Sequence, residues 1–507
     1  MAPVSMIPDA GRERWALLAV CLAALALPLS FSAGAVAVPV LAAMADASPG
    51  ALAWVTNAFM LSFGSLLLAA GALADRYGRR RLFLLGTAGF ALATVGTCLA
   101  ADLRWLDLAR GLQGVAAAAA LASGTAALAQ AWQGAARTRV FALLGTTFGA
   151  GLALGPLLAG VLLEQLGWRS VFAAGGVLAA CAFVLALRTL PESRGGEARL
   201  DIAGMLGFSA MLAALTIALL WLGEQGPGAL PVRLAALAAL LLGALFVWLE
   251  RRQRSPLLDL SLLAQPAFLG VQLLPVATCL GYVVLLVVLP LQLLGVHGQG
   301  SAMVGLQMLA LSAPMLLLPM LAAHWAPRVG SARLCVFGLL VCALGLYLLS
   351  RHALRPSPAQ WLPLLMLIGA GSALPWGLMD GLSVSVVPVQ RAGMAAGLFG
   401  TVRVAGEGIA LAAVSALLAL LIVQRLQLAG VPASLPLGRA GAYLATGALP
   451  SAQRLLPGLT PLQLQQASAE ALALLLRALS LLTAGSALLL HALLRRPAAV
   501  AALRTDS

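Results

Sequence analysis

Long apolar runs separated by short polar connections extend along the whole chain. Fourteen of these runs are about as long as an α-helix that crosses a bilayer, which needs roughly 17–25 mostly apolar residues. We therefore predict spanning helices at residues 15–37, 51–73, 82–101, 105–129, 138–162, 169–188, 203–222, 231–249, 267–291, 302–323, 334–350, 361–386, 394–422 and 472–494. The pattern indicates an all-α, polytopic membrane protein.

The polar connections divide these spans into three groups. Residues 1–188 contain six spans, and we predict a six-helix bundle there. Residues 189–265 form a linker with two extra spans, and residues 266–507 contain a second group of six. Within this last group, residues 423–471 form a long extracytoplasmic connection with five prolines, in which the apolar stretch from Leu462 to Leu475 predicts a short interfacial helix.

Composition excludes several other classes of protein. The chain is 62% hydrophobic and only 9% charged, with a mean hydropathy of +0.99, so it cannot solvate the surface of soluble domains or remain disordered. The six cysteines are scattered through apolar runs and the four histidines are isolated, so we expect no disulfide, metal site or cofactor. An intramembrane protease would need paired catalytic groups that this pattern lacks. We therefore expect no enzyme.

The distribution of arginine predicts the orientation in the membrane. All 31 basic residues are arginine, and with both termini in the cytoplasm 20 of them lie on that side, 8 outside and 3 within spans. The positive-inside rule supports this orientation, which also explains the net charge of +14 without a nucleic-acid partner. The first run has no charge from Trp15 to Val40, which is longer than a signal peptide, so it predicts an uncleaved first span.

The strongest local motif lies between the second and third runs, where residues 71–81 read GALADRYGRRR. Its two glycines allow a tight turn and a close approach between helices. Its acid lies at a helix end among four arginines and can form a breakable ionic latch, although a basic loop with an incidental acid is the alternative. The candidate gate residues are Gly71, Asp75, Arg76, Gly78, Arg79 and Arg80.

Two further motifs lie inside spans. The fourth span carries Arg110, Gln113 and Gly114, and an arginine inside a membrane should face a cavity or a carboxylate unless it snorkels to the nearby interface. The fifth span has glycines spaced for close helix packing and a proline that can kink the helix, although generic tight packing is the alternative. The residues of this second motif are Gly151, Gly155, Pro156 and Gly160.

These motifs together resemble the Major Facilitator Superfamily. They are similar to its signature loop, to its Arg-x-x-Gln-Gly sequence in the fourth span and to the antiporter motif of its fifth span. The number of spans and the segments 54–59, 190–193, 200–204 and 391–397 resemble the fourteen-span drug:proton antiporters of that family. A degenerate second signature loop occupies residues 324–333, where the internal repeat of the family would place it, with Pro327 instead of the acid.

The resemblance implies both a fold and a function. Two six-helix bundles, each built of inverted repeats, would enclose a substrate cavity near the midplane, with two extra central spans between them. The expected function is proton-coupled export of lipophilic drugs or toxic compounds by alternating access across the cell inner membrane. The expected partners are a small-molecule substrate, protons and the lipid bilayer. Accessory periplasmic proteins are an additional partner that the resemblance leaves open.

The first span departs from the family pattern at the coupling acid. Antiporters of this branch usually carry an aspartate where this chain has Ser30, and an asparagine where it has Ala35. Since a serine cannot carry the coupling proton, the candidate proton site moves to Glu407 and Asp380, the acids that the predicted spans place well inside the membrane. Arg403 lies four residues before Glu407 on the same helix face, so a static Arg403–Glu407 ion pair is the alternative role for that acid. For Asp380 the alternative is a place in the lining of the inner vestibule.

The sequence leaves two transport functions open. The leading one is proton-driven export of lipophilic compounds, and the alternative is export of a specific metabolite with different or no proton coupling, because of Ser30. A channel or a sensor is disfavoured because the glycine-rich fifth span is typical of bundles that rock against each other.

Overall fold

A computed structural model describes residues 10–44, 48–132, 134–193, 201–253, 264–354, 357–387, 392–432 and 434–494. Within these ranges fourteen helices are long and apolar enough to cross a membrane, and no strand occurs in them. The predicted all-α class and the number of spans are therefore confirmed.

The helices are numbered here in chain order. They are α1 Ala10–Met44, α2 Pro49–Tyr77, α3 Arg79–Cys98, α4 Leu103–Ala131, α5 Gly134–Leu166, α6 Trp168–Thr189, α7 Ile202–Gln225, α8 Leu230–Arg252, α9 Pro266–Val296, α10 Ser301–Val329, α11 Ser331–Arg351, α12 Pro358–Ser383, α13 Ala392–Leu428 and α14 Pro461–Leu494. Helix α6 ends and α9 begins close to the predicted domain boundaries. Residues 194–200 and 254–263, near these boundaries, lie outside the described residues.

Local sequence fixes several helix ends. The side chains of Ser48, Asp102 and Asp201 accept hydrogen bonds from the backbone N–H groups of the first turns of α2, α4 and α7, as N-capping residues do. Gly78 and Gly330 have φ values of 114° and 95° in the tight turns that join α2 to α3 and α10 to α11. The two signature-like loops thus occupy equivalent turns, as the internal repeat predicts.

The fourteen helices of the described residues pack as two groups of six and an additional pair. Helices α1–α6 pack mainly on one another, and α9–α14 form the second group. Helix α7 contacts α2 of the first bundle and α13 of the second, whereas α8 packs mainly on α7 and leaves most of its apolar surface exposed, as a lipid-facing helix does. Helix α1 is buried along almost its whole length, because it is apolar on every face.

Two helices of the second bundle are irregular. Helix α9 contains π-helical segments at Cys279–Val283 and Leu291–Val296, with prolines at 275 and 290. Helix α10 is interrupted by a 3₁₀ turn at Ala313–Leu316. Such π segments occur often at functional sites, because they redirect side chains within an otherwise regular helix.

The long connection in the second bundle differs from the prediction. It covers residues 429–460, here called the long connector, and contains two short helices, Leu437–Ala445 and Leu449–Leu455. The predicted separate helix from Leu462 to Leu475 is wrong, because this stretch forms the first turns of α14. Thr460 and Gln463 form a capping box at that start, with Thr460 N donating to Gln463 Oε1 over 2.8 Å.

Candidate functional site

The two bundles meet closely near the long connector. A Cβ atom added at Gly160 of α5 would lie 2.5 Å from the carbonyl oxygen of Ser301 in α10, and one added at Gly305 would lie 3.1 Å from Leu157 Cα. Glu164 adds a polar link here, since its Oε2 accepts hydrogen bonds from Ser301 Oγ and Ala302 N. We call this side of the protein the connector end.

The bundles separate toward the opposite side, here called the signature-loop end. Helices α2 and α13 touch at mid-height, where a Cβ added at Gly64 would lie 2.9 Å from Ala405 Cα. Nearer the signature-loop end, Cβ atoms added at Gly71, Gly145 and Gly400 would meet no described atom within 4 Å. The described contacts between the bundles thus lie at the connector end and at mid-height, from which we infer that the signature-loop end is the open one.

A cavity of about 20 Å³, which is room for about one water molecule, lies between the bundles in this conformation. Helices α1, α2 and α5 of the first bundle and α9 and α13 of the second contribute its lining, which consists of Leu27, Pro28, Phe31, Phe59, Met60, Phe63, Phe148, Leu152, Val283 and Glu407. Val283 belongs to the first π-helical segment of α9. The lining is apolar and rich in phenylalanine, and Glu407 is its single charged member.

The ion pair between Arg403 and Glu407, the alternative that the sequence left open, does not form. Arg403 Nη1 instead lies 3.3 Å from Asp380 Oδ1 of α12. Asp380 has 65% of its side chain exposed and Arg403 has 20%, so this pair lies in the opening at the signature-loop end. Among the described residues, no hydrogen bond or ion pair within 4 Å is formed by the carboxylate of Glu407, which faces the cavity.

Arg110 is the centre of a buried polar network. The side chain is completely buried, so the alternative of snorkelling to the interface is wrong. Its Nε donates to the carbonyl oxygen of Val55 over 2.9 Å, and its Nη1 donates to Ser30 Oγ over 2.8 Å and to Gln113 Oε1 over 2.5 Å. Gln113 in turn donates to Thr94 Oγ1 of α3 over 2.7 Å.

The network joins the helices of the first bundle. The guanidinium group of Arg110 also lies over the ring of Phe59, 4.5 Å from its centroid, and Phe59 lines the cavity. Gly114 packs α4 directly on α2, because a Cβ there would collide with the Phe59 carbonyl oxygen. Arg110, Gln113 and Gly114 thus connect the first-bundle wall of the cavity to α1, α2 and α3.

The glycines of the antiporter-like motif contact two different partners. A Cβ added at Gly151 would lie 3.0 Å from Pro28, and one added at Gly155 would lie 2.7 Å from Ser32 Oγ, so both pack α5 on α1. Gly160 packs on α10 of the other bundle, and the carbonyl oxygen of Pro156 faces Gly305. The motif therefore joins α5 to its own bundle along most of its length and to the second bundle at the connector end.

The signature loop makes contacts within the first bundle. Asp75 Oδ1 pairs with Arg79 Nη2 over 2.7 Å, and Arg79 also donates to Gln130 of α4. Arg80 Nη2 donates to the carbonyl oxygen of Leu187 in α6 over 2.8 Å. Arg76 does not join the latch, because its guanidinium group lies over the ring of Tyr77.

The two glycines of this loop have different environments. Gly78 adopts its positive φ value beside Glu192, whose carboxylate would lie 2.5 Å from an added Cβ. Gly71 lies inside α2, and a Cβ there would meet no described atom within 4 Å. The prediction of a tight turn is confirmed for Gly78, whereas the predicted close approach at Gly71 is wrong in this conformation.

Sequence reasoning missed one acid near the network. Asp107 lies in α4, three residues before Arg110, and the predicted start of this span at residue 105 placed it at the membrane boundary. Its spacing from Arg110 was the signal that could have identified it. The phenylalanines of the cavity were also missed, because α1 and α2 are apolar on most faces. Leu200 and Arg391, in two segments that support the resemblance, lie outside the described residues.

The sequence profile of the Major Facilitator Superfamily matches residues 20–411. The chain belongs to this family. It is 32% identical to the multidrug resistance protein Stp of Mycobacterium tuberculosis, over 73% of this chain and 69% of that protein. It is 33% identical to the puromycin resistance protein pur8 of Streptomyces alboniger, over 79% of this chain and 81% of that protein.

Solved structures of other transporters have the same overall fold as this chain. An inward-facing, unoccupied bacterial homologue of the human lysosomal transporter Spinster superposes with a TM-score of 0.64 at 16% identity, over 96% of this chain and 98% of that one. The predicted family, fold and non-enzymatic class are confirmed: the protein is an integral membrane transporter of this superfamily with small-molecule substrates.

Proposed function

We propose that this transporter exports lipophilic drugs or toxic compounds, lipophilic cations among them, in exchange for protons. The observation that carries the proposal is the cavity between the bundles, where one carboxylate lies in a wall of phenylalanine and aliphatic side chains. Aromatic faces and apolar surface bind lipophilic molecules with little specificity, and a carboxylate at low dielectric attracts a cation strongly. The antibiotic and multidrug resistance named for the two relatives supports this class of substrate.

Glu407 is the residue on which proton and substrate compete in this proposal. A carboxylate in an apolar cavity is costly unless it binds a proton or a cation, and Arg403 is held by Asp380 instead. A proton on Glu407 would lower the affinity for a cation, and a bound cation would displace the proton. Asp380 and Arg403 contribute to the rim of the opening through which a substrate enters.

Alternating access then connects this site to the two sides of the membrane. With the arginine-rich loops in the cytoplasm, the signature-loop end is cytoplasmic, both termini lie there and the structure is open to the cytoplasm. Asp75 and Arg79 stabilise the α2–α3 turn on the first bundle while that end is open. The contact between Gly160 and α10 must break before the connector end opens to the outside.

Transport in proteoliposomes tests this function. Wild-type protein is reconstituted and given a pH gradient, with tetraphenylphosphonium as a permanent lipophilic cation and chloramphenicol as a neutral lipophile. We expect gradient-driven accumulation of the cation that falls at least tenfold in Glu407→Gln, with a smaller loss in Asp380→Asn. A correctly folded wild-type protein that moves neither compound would contradict the proposal.

The second candidate function is export of a specific metabolite with different proton coupling. Ser30 is the observation that favours it, because the hydroxyl at this position binds Arg110 and cannot carry a proton between compartments. Under this alternative wild-type protein exchanges a probe across the membrane at equal pH, but a pH gradient drives no accumulation. The same proteoliposomes distinguish the two functions.

A further inference from the structure

Arg110 carries a buried positive charge that no carboxylate of the described residues pairs with in this conformation. Its bonded partners are a backbone carbonyl oxygen, a serine hydroxyl and an amide oxygen. Its Nη2 is buried without a hydrogen-bond partner among the described residues. An arginine in such a place is costly, and leaving one of its donors unused adds to the cost.

An unpaired carboxyl oxygen lies one turn away on the same helix. Asp107 Oδ1 is buried without a hydrogen-bond partner among the described residues, and Arg110 attracts it electrostatically. The two residues are three apart, so they face the same side of α4 with about 4.5 Å of rise between them. A change of side-chain rotamers is sufficient to bring the carboxylate and the guanidinium group together.

No other described charge competes for this pair. On the helices that pack against α4, the charged side chains of α1, α2 and α3 lie at the signature-loop end, and Glu164 of α5 is bonded to α10. Arg169, at the start of α6, donates to the carbonyl oxygens of Cys98 and Ala100. The other charged and titratable groups near this end of α4 are Asp102, Arg104 and Cys98, of which Asp102 caps the helix and Cys98 donates to a carbonyl oxygen.

We propose that Asp107 binds a coupling proton and acts through Arg110, in place of the acid that Ser30 replaces in α1. When Asp107 is deprotonated, Arg110 turns to it and releases Ser30 and Gln113. When a proton from the connector-end solution neutralises Asp107, Arg110 returns to Ser30, Gln113 and Val55, which is the arrangement of this structure. As Arg110 turns back toward the carboxylate, the proton passes to water in the opening at the signature-loop end, so no other reactant is needed.

This switch would change the wall of the drug cavity. Arg110 lies against Phe59, which lines the cavity with Glu407, so a movement of Arg110 alters the packing of α2 and α4 beside the substrate. Arg110 Nη2 packs closely on α1, because a Cβ added at Gly34 would lie 3.4 Å from Nη2 and 3.0 Å from Thr56 Oγ1. The inference rests on the proposed proton-coupled export, to which it adds a second proton-binding group.

Four proteins test the inference: wild type, Asp107→Asn, Asp107→Asn with Ser30→Asp, and Asp102→Asn as the matched control. Each is reconstituted for accumulation of tetraphenylphosphonium under a pH gradient and for exchange of the same probe at equal pH. We expect Asp107→Asn to lose at least tenfold in accumulation and to keep exchange within about twofold. Ser30→Asp should restore accumulation by returning an acid to Arg110, and Asp102→Asn should retain both activities because asparagine also caps helices.

Infrared spectroscopy gives a readout that needs no substrate. We expect a protonated-carboxyl band that titrates in the wild type and in Asp102→Asn, and that loses one component in Asp107→Asn. Unchanged accumulation, an unchanged band, or a parallel loss of exchange and accumulation that Ser30→Asp does not restore would each overturn the inference. Wild-type protein that exchanges the probe without gradient-driven accumulation would instead contradict the proposed coupling, whatever the result for Asp107.

Discussion

Arg403 of α13 pairs with Asp380 of α12 across 3.3 Å, instead of with Glu407 one turn away on its own helix. The choice of partner decides the electrostatics of the cavity. Had Arg403 turned to Glu407, the single charge of the lining would be neutralised from within the protein. Because Arg403 is held at the rim, it attracts the carboxylate from a distance without pairing with it, and we propose that a proton or a substrate cation binds there.

Removal of Asp380 should therefore weaken cation binding indirectly. In Asp380→Asn, Arg403 loses its ion pair and is expected to turn to Glu407, so the Kd for tetraphenylphosphonium should rise about three- to tenfold. The double variant Asp380→Asn/Arg403→Gln removes the competing charge and should return the Kd to near the wild-type value. Binding measured by isothermal titration calorimetry checks both, and equal losses in the single and double variants would contradict the explanation.

A larger residue at Gly160 should hold the connector end open. A Cβ there would lie 2.5 Å from the Ser301 carbonyl oxygen, so Gly160→Leu cannot keep the present contact between α5 and α10. We expect at least fivefold slower transport and a longer distance between spin labels on Leu166 and Met303, measured by double electron–electron resonance. Gly145→Leu is the control, because its surroundings are open in this conformation, and an unchanged label distance in Gly160→Leu would refute the prediction.

The two glycines of the signature loop should differ in their sensitivity to alanine. Gly78 has a positive φ value and lies against Glu192, so Gly78→Ala should cost about 1–3 kcal/mol of stability. Gly71→Ala should be neutral or slightly stabilising, because alanine favours the helix and its methyl group meets no described atom. Thermal unfolding in detergent measures both, and a similar loss of Tm in the two variants would contradict this assignment.

The Asp75–Arg79 pair should matter more to transport than to stability. Its side chains are 38% and 15% exposed, and partly exposed pairs contribute up to about 1 kcal/mol, so Asp75→Asn should fold with little change in Tm. Release of Arg79 from Asp75 should nevertheless loosen the α2–α3 turn that moves with the first bundle. We expect slower turnover with unchanged substrate Kd. The double variant Asp75→Asn/Arg79→Gln should be no slower than the worse single variant, and additive losses would argue against one functional unit.

The number and order of the helices could be predicted, because each span needs a long apolar run that is easy to recognise. The ends of the spans were less predictable, since polar residues continue the helices beyond the apolar runs. Arg12 illustrates this point: it lies in α1 before the predicted start, and its Nε donates to the carbonyl oxygen of Thr189 at the end of α6. At α14 we predicted a separate helix before the span, whereas Pro461 occupies the first turn of one continuous helix that a capping box begins.

The candidate site was only partly predictable for a different reason. The prediction that Arg110 faces a cavity or a carboxylate was wrong, because its partners Val55 and Ser30 lie on other helices and their distances depend on tertiary packing. The side chains of the cavity depend on the rotation of each helix about its axis. Hydrophobic periodicity cannot give that rotation for α1 and α2, because residues facing lipid, core and cavity are all apolar.

The long connector makes the two bundles differ at the connector end. It is attached chiefly to the second bundle, through the hydrogen bond from Gln292 Nε2 to the Leu444 carbonyl oxygen and the contact of Gly441 with α13, and it touches α1 and α2 more lightly. When the bundles separate at this end, we expect the connector to move together with α9 and α13. We therefore expect a departing molecule to pass the connector on the second-bundle side of the exit.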